Sequence, residues 1–228
     1  MNFSILLPTR GRPDRVETFL DSIEDTADNV DRIEVVIRID RDDDLMMRHK
    51  FKPRSLVFRL LIGPRAKCLS DCWNECWRHS KNDILMLAGD DLIFRTPLWD
   101  SEIRREIKSF PYNIGLVYGA DNNPYRRKNA THPFVHRTWT ELVGYFTPPN
   151  LDYGNDTWLE MVAKKINRIT FRPDILIEHM HYRYKKRNRD QTDVDLRNRY
   201  KSWGGGEKFY TLEHLIDHDA EKLKRSIS

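Results

Sequence analysis

The chain has 228 residues, 39% hydrophobic and 11% aromatic, enough to bury one substantial core in a single domain. Its 39 Lys and Arg stand against 35 Asp and Glu, a net charge of +4, which excludes a chain-wide polycation and leaves any nucleic-acid contact to local clusters. Every apolar run falls short of the roughly 18 to 20 residues of a membrane span, and the N-terminus leads into a strand pattern rather than a signal sequence, so a cytoplasmic protein with no membrane span is expected.

In chain order, residues 3–7 form a short, nearly continuous apolar run, the mark of a strand covered on both faces, and Pro8 ends it. The loop Thr9-Arg10-Gly11-Arg12 leads into a helix opening on Pro13, with Val16, Phe19, Leu20 and Ile23 on one face. A second strand, 33–39, stops at Asp40, and a third, 56–62, stops at Gly63-Pro64. The pattern then predicts a helix over 65–79 with Leu69, Cys72, Trp73 and Cys76 inward. Cys68, Cys72 and Cys76 fall four apart on that helix, too far along its axis for a disulfide and one ligand short of a zinc site, so they are read as reduced core residues.

The fourth strand is the run Ile84, Leu85, Met86, Leu87, Ala88, which ends abruptly in Gly89, Asp90 and Asp91 before Leu92, Ile93 and Phe94. Adjacent carboxylates repel, so both stay ionised most easily around a cation; the plainer alternative is a solvated turn. A helix follows Thr96, with Pro97 first and Trp99, Ile103 and Ile107 at helical spacing; 114–118 is a fifth strand. In the loop 121–132, Tyr125, Arg126, Arg127 and Lys128 either meet an acceptor or decorate the surface. Thr138 and Glu141 make a capping box for a helix through Leu142 and Val143.

Asp156 opens another helix, with Trp158, Leu159 and Val162 behind it, and an N-cap is its plain reading. In the last strand, 175–181, Ile175, Ile177, His179 and His181 share one face. Two imidazoles near an acidic pair suit a metal, manganese above all. Residues 182–189 are a dense basic run, and Gly204-Gly205-Gly206 separates it from a final helix carrying Leu212, Leu215, Ile216 and Leu223. The run is a solvated tail, a lid over a leaving diphosphate or a groove for a polyanion.

Strands alternating with helices argue for a mostly parallel, Rossmann-like α/β sheet flanked by helices, whose chemistry gathers at the carboxyl ends of the strands. Those ends carry Pro8, Thr9, Arg10 and Arg12, then Asp40, then Arg65 and Lys67, then Asp90 and Asp91. No GxGxxG or GxxxxGK[ST] occurs, so dinucleotide-binding and P-loop readings are weak.

The strand ending in Pro8-Thr9-Arg10-Gly11-Arg12-Pro13, the strand ending at Asp40 and Gly89-Asp90-Asp91 after an apolar strand together resemble, in that order, the nucleotide-sugar half of GT-A glycosyltransferases, especially those like family 2. The resemblance spans about residues 1–183, although the pair here is preceded by Ala88-Gly89 and departs from a strict DxD. It implies a nucleoside-diphosphate sugar donor, UDP-linked by preference, and a divalent cation, Mn2+ or alternatively Mg2+. By the resemblance Thr9, Arg10 and Asp40 touch the base, Asp90 the ribose, and Asp91 the metal, with a strand histidine, His181 ahead of His179, as a further ligand.

The resemblance makes Asp156, in Asn155-Asp156, the base of an inverting transfer to an acceptor hydroxyl. Arg183, Lys185, Lys186 and Arg187 then belong to an acceptor groove or a lid. Similar small enzymes occur among bacteriophage glycosyltransferases, some acting on hydroxymethylated bases, so DNA is one expected acceptor and a surface saccharide precursor another. A nucleotidyltransferase and a non-catalytic nucleic-acid-binding protein are the remaining alternatives. The expected organisation is a catalytic domain over 1–182 and a basic extension with a terminal helix over 183–228.

Overall fold

A computed structural model describes residues 1–123 and 129–227. β1 (Phe3–Pro8) is the central strand, and its alternation sorts the core: Phe3, Ile5 and Leu7 enter one cluster and Leu6 the other. α1 (Pro13–Thr26) packs on the first face, and β2 (Ile33–Asp40) runs parallel to β1 with Phe3 opposite Ile33. After the short α2 (Asp44–Arg48), β3 (Val57–Gly63) adds a parallel edge beyond β2. α3 (Leu69–His79) returns on the second face, and β4 (Ile84–Leu87) pairs parallel with the other side of β1. Three parallel carboxyl ends, those of β1, β2 and β4, thereby open on one edge of the sheet.

The remaining elements are β5 (Leu92–Phe94), α4 (Trp99–Ser109), β6 (Leu116–Ala120), β7 (Phe134–His136), α5 (Arg137–Val143), α6 (Asn155–Lys165), β8 (Ile169–His179), α7 (Gln191–Trp203), α8 (Gly205–Thr211) and α9 (Glu213–Ile227). Strand order is β3-β2-β1-β4-β7-β6-β8-β5. The sheet is mixed rather than mostly parallel, because β7 is antiparallel to both β4 and β6 and β5 is antiparallel to β8. Three-residue strands such as β5 and β7 are too short to show a period, so their direction is set by the strands they join.

Several boundaries move. The helix expected over 65–79 begins at Leu69, which leaves Arg65 and Lys67 in the preceding loop and Cys68 at the cap. α4 begins at Trp99, not Pro97, behind Leu98 at φ +60°. β6 starts two residues later than expected because a turn over Pro111–Asn113, with Tyr112 and Asn113 at positive φ, precedes it. The capping box expected from Thr138 and Glu141 is replaced by His136, whose ring nitrogen accepts from the Thr138 N–H.

α9 lies on the second face, where Ile216, Ala220 and Leu223 join Trp139, Trp158 and Leu6 in one cluster. After residue 182 the described chain is helical, and α9 packs against α5 and α6. Gly204, at φ +102°, ends α7 in the left-handed conformation that glycine adopts without strain. Among the described residues no helix is long and apolar enough to cross a membrane.

Candidate functional site

The loop after β1 supplies the first side chains. Gly11 turns it at φ +67° and donates its N–H to Asp43 Oδ2 at 2.7 Å, which sends Arg12 back under the sheet edge. Arg12 Nη1 donates to Asp90 Oδ1 at 2.8 Å, and Thr9 Oγ1 donates to Asp90 Oδ2 at 2.7 Å. Burial pushes the Asp90 carboxyl up against the pull of Arg12. At the end of β2, Asp40 accepts from Arg10 Nη1 at 3.0 Å, from Arg38 Nη1 at 3.2 Å and from the Ala66 N–H at 3.2 Å.

Between these groups lies a cavity of about 290 Å³, at the low end for small-molecule sites. Its floor is apolar: Leu69, Cys72, Trp73, Ala88 and Leu196, with the Trp73 indole fixed by a 3.1 Å bond from Nε1 to the Ala88 carbonyl. Of the residues singled out in the sequence, Pro8, Thr9, Arg10, Arg12, Arg65 and Asp40 stand in its wall. Lys67 does not; it is exposed and outside the cavity. Arg38 and the α7 residues Asp195, Leu196 and Arg199 also line it and were not foreseen, since nothing local to them marks a ligand wall. α7 is latched there by Thr192 Oγ1 donating to the Arg10 carbonyl at 2.9 Å and by Arg199 on Asp152 at 2.8 Å.

Asp91 lies at the other end of the cavity. The β5–β8 pairing sets Leu92 opposite His179, and Met180 N–H donates to the Asp91 carbonyl at 2.7 Å, so His179 Nε2 comes to 3.3 Å from Asp91 Oδ1. Arg187 Nη2 takes Asp91 Oδ2 at 3.3 Å. Burial opposes the charge on Asp91, but His179 and Arg187 outweigh it and hold its carboxyl well below the usual range. His179 responds in kind: burial would lower it, and Asp91 raises it.

His132, which the sequence reading passed over, joins this cluster with its ring 4.8 Å from that of His179. It precedes β7, and because that strand was not foreseen its position beside β4 was not either. Burial and the neighbouring His179 bring its pKa down to about 3, so the imidazole is neutral. Nδ1 faces the Leu87 carbonyl at 3.2 Å, and a carbonyl only accepts, so the proton is on Nδ1 and Nε2 holds a lone pair. That Nε2 is buried with no partner, as is His179 Nδ1.

His181 lies two residues beyond β8, with its Nδ1 accepting from the Arg183 N–H at 3.3 Å. The structure thus draws His179, ahead of the favoured His181, to Asp91. Gly89 leaves room at this spot, since a Cβ there would meet Asp91 Oδ1 at 3.2 Å and His132 Cε1 at 3.4 Å.

A carboxylate, the neutral His132 with a lone pair on Nε2, and His179 with an unpartnered Nδ1 form a donor set that fits Mn2+ or Mg2+, better the former. Among the described residues no three His, Cys, Asp or Glu side chains close into a cation site by themselves. The protein thus offers part of a coordination shell and leaves the rest to a ligand such as a diphosphate.

Asp156 sits in the first turn of α6, behind a cap formed by Gly154 rather than by itself. Its Oδ1 accepts the Thr157 N–H at 2.8 Å, and burial raises its carboxyl while His179 pulls the other way. It is outside the cavity wall. Of the basic run, Lys186 turns to Glu178 Oε1 at 3.0 Å and Arg187 points into the site, whereas Arg183 and Lys185 are exposed. Tyr125, Arg126, Arg127 and Lys128 lie outside the described residues.

No protein-family model matches the chain, and no curated protein matches its sequence. Solved structures do match its fold. S. aureus TarS 1-349 has a TM-score of 0.61 at 14% identity, over 90% of this chain and 73% of that one. The mannosyltransferase PcManGT from Pyrobaculum calidifontis, in complex with GDP-Man and Mn2+, also has a TM-score of 0.61, at 17% identity, over 78% of this chain and 56% of that one. Glucosyl-3-phosphoglycerate synthase from Mycobacterium tuberculosis, solved with Mn2+, UDP-Glc and phosphoglyceric acid, has a TM-score of 0.58 at 16% identity, over 85% of this chain and 74% of that one. The chain is shorter than each of these. Likeness at such identities shows a shared fold, that of the GT-A glycosyltransferases.

Proposed function

We propose that this chain is a metal-dependent glycosyltransferase that moves a sugar from a nucleoside-diphosphate sugar to an acceptor hydroxyl. The observation that carries the reading is the cavity itself. An apolar floor for a base and ribose runs, at the carboxyl ends of β1, β2 and β4, into Asp91 and two underbonded imidazoles. The three fold neighbours named above include two solved with a nucleotide sugar and Mn2+. TarS has been solved with UDP and with UDP-GlcNAc, which favours UDP as the nucleotide.

In this reading Arg10 and Asp40 face the base, and Asp90, oriented by Thr9 and Arg12, faces the ribose. Asp91 with His179 and His132 would hold the cation, which would supply positive charge for the departing diphosphate. Arg187 and Arg12 add fixed positive charge at the same end of the cavity. Asp156 takes the proton of the acceptor hydroxyl as that oxygen attacks the anomeric carbon; direct displacement inverts the centre. Its burial-raised carboxyl suits a base better than an ordinary surface aspartate does.

The test is calorimetry of UDP with Mn2+ on wild type and Asp91→Asn, followed by a panel of nucleotide sugars watched for slow hydrolysis. Asp91→Asn should lose most Mn2+-dependent affinity while keeping its fold, since the residue sits at a strand end. Equal affinity in the two proteins would defeat the assignment.

A hydroxymethylated base of duplex DNA, as in a bacteriophage modification enzyme, is the second acceptor reading beside a saccharide. The exposed Arg183, Lys185 and Arg189 support it. Each phosphate contact contributes about 0.9 to the slope of log affinity against log salt, so replacing Arg183 and Lys185 by Ala should flatten that slope by nearly 2 if both touch DNA. An unchanged slope leaves the saccharide.

A further inference from the structure

We propose that Arg187 is the resident counter-ion of Asp91, occupying the carboxylate that a divalent cation must take, and that Asp193 is the positioning residue that keeps Arg187 at hand for the donor's diphosphate. The inference rests on the functional reading above and adds a competition to it. Both oxygens of Asp91 are engaged, Oδ1 by His179 Nε2 and Oδ2 by Arg187 Nη2, each at 3.3 Å, and the carboxylate and the guanidinium are each only 11% exposed. A cation therefore cannot reach Asp91 Oδ2 while Arg187 stays.

The contacts of Arg187 are unequal. To Asp91 it makes one bond, at 3.3 Å, long for a charge-assisted pair. To Asp193 it makes two, from Nη1 to Oδ2 and from Nη2 to Oδ1, the latter at 2.8 Å. Asp193 is itself anchored by Arg12 Nη2 at 2.7 Å and by its capping bond with the Asp190 N–H at 3.0 Å. When the pair separates, the Asp91 bond breaks first and the guanidinium stays tethered at the start of α7. Two further facts favour the exchange. Arg187 Nε–H is buried with no acceptor, so the group is one hydrogen bond short where it stands. A second cavity, of about 180 Å³ and lined by Arg15, Thr18, Met180 and Arg187, lies beside the Asp90-Asp91 pair and offers space for the side chain to shift.

The consequence is a coupling. Cation alone must displace Arg187 and leave it without Asp91, so it binds weakly; cation with a diphosphate offers Arg187 new oxygens, so the two enter together. If Arg187 holds Asp91 in about nine molecules of ten, the apparent affinity for the cation alone is lowered about tenfold.

The experiment titrates Mn2+ alone, then UDP in the presence of Mn2+, into wild type, Arg187→Ala, Arg187→Gln, Asp193→Asn and Asp91→Asn, with melting followed by circular dichroism. Arg187→Ala and Arg187→Gln should bind Mn2+ alone about tenfold more tightly than wild type and bind UDP with Mn2+ about tenfold more weakly, two changes of opposite sign that loss of structure does not produce. Asp193→Asn should raise the KM for the nucleotide sugar more than it lowers kcat, whereas simple destabilisation would lower the active fraction and leave KM alone. The Gln variant keeps the length of the side chain and stands in if the Ala variant fails to fold. Unchanged affinity for Mn2+ alone in the Arg187 variants, or none measurable in them, overturns the proposal. If Asp91→Asn still binds UDP in a Mn2+-dependent way, the functional reading fails first; if it does not and the Arg187 variants match wild type, only the counter-ion role falls.

Discussion

At the scale of single residues, the site is a set of carboxylates pushed in opposite directions. Asp91 is held ionised by His179 and Arg187, while Asp156 is raised by burial. A base must be ionised to accept a proton, so turnover should fall as pH drops through a pKa above the ordinary aspartate value, and the acid limb should lie at higher pH than for an exposed carboxylate. Asp156→Asn should cost about 10²- to 10⁴-fold in kcat, abolish that limb and leave donor binding intact. A pH-rate profile of the residual activity with calorimetry of UDP and Mn2+ checks all three, and wild-type turnover would reduce Asp156 to a structural residue of the first turn. Asp90 and Asp91 were legible because two carboxylates closing an apolar run are conspicuous. His132 was not, because a histidine in a polar loop reveals nothing until the strand after it is known to lie beside β4.

At the scale of elements, α7 and α9 do what their composition conceals. α7 begins with a capping box in which Asp190 and Asp193 satisfy each other's backbone N–H, and the same carboxylates bind Arg12 and Arg187. Burial opposes the charge on Asp193, but Arg187, Arg12 and the backbone hold its carboxyl well below the usual range. A carboxyl lowered on folding adds stability above its unfolded pKa of about 3.9, and that contribution is lost as pH falls towards the folded value. Amide exchange in α7 should therefore quicken on acidification below about pH 4 before the β1–β2–β4 sheet loosens; uniform loosening of both would contradict this. α9 is amphipathic in sequence, yet its apolar stripe does not announce what it covers. Leu223 is fully buried in the cluster with Trp139 and Trp158, so Leu223→Ala should cost about 2–5 kcal/mol and lower the melting temperature without altering UDP affinity of the folded fraction.

For the whole molecule, the three cysteines report on the core. Cys68 borders α3, Cys72 faces the cavity floor and Cys76 is fully buried. Burial pushes all three thiols up, Cys72 to about 12, so little thiolate exists at pH 8. Alkylation by iodoacetamide at that pH should be negligible in the folded protein and should reach three adducts per chain across the urea unfolding transition. Labelling of Cys72 in native buffer at the rate of a free thiol would show that the wall formed by α3 and α7 opens readily.

The sequence by itself determined what short-range pattern can carry. The buried strands β1, β2 and β4 were written as largely apolar runs, the turns that end them as Pro8, Asp40 and Gly89, and the site residues among them fell at strand ends because parallel sheets leave their carboxyl ends open. Only the tertiary structure decided how the second half closes. The directions of β5 and β7 follow from pairing with strands distant in sequence, the choice of His179 at Asp91 follows from the β5–β8 register, and the seating of Arg187 follows from a helix more than a hundred residues after Asp91 folding back on the β1 loop. Such contacts depend on long-range geometry, and a three-residue strand or a basic run has no local period that would reveal it.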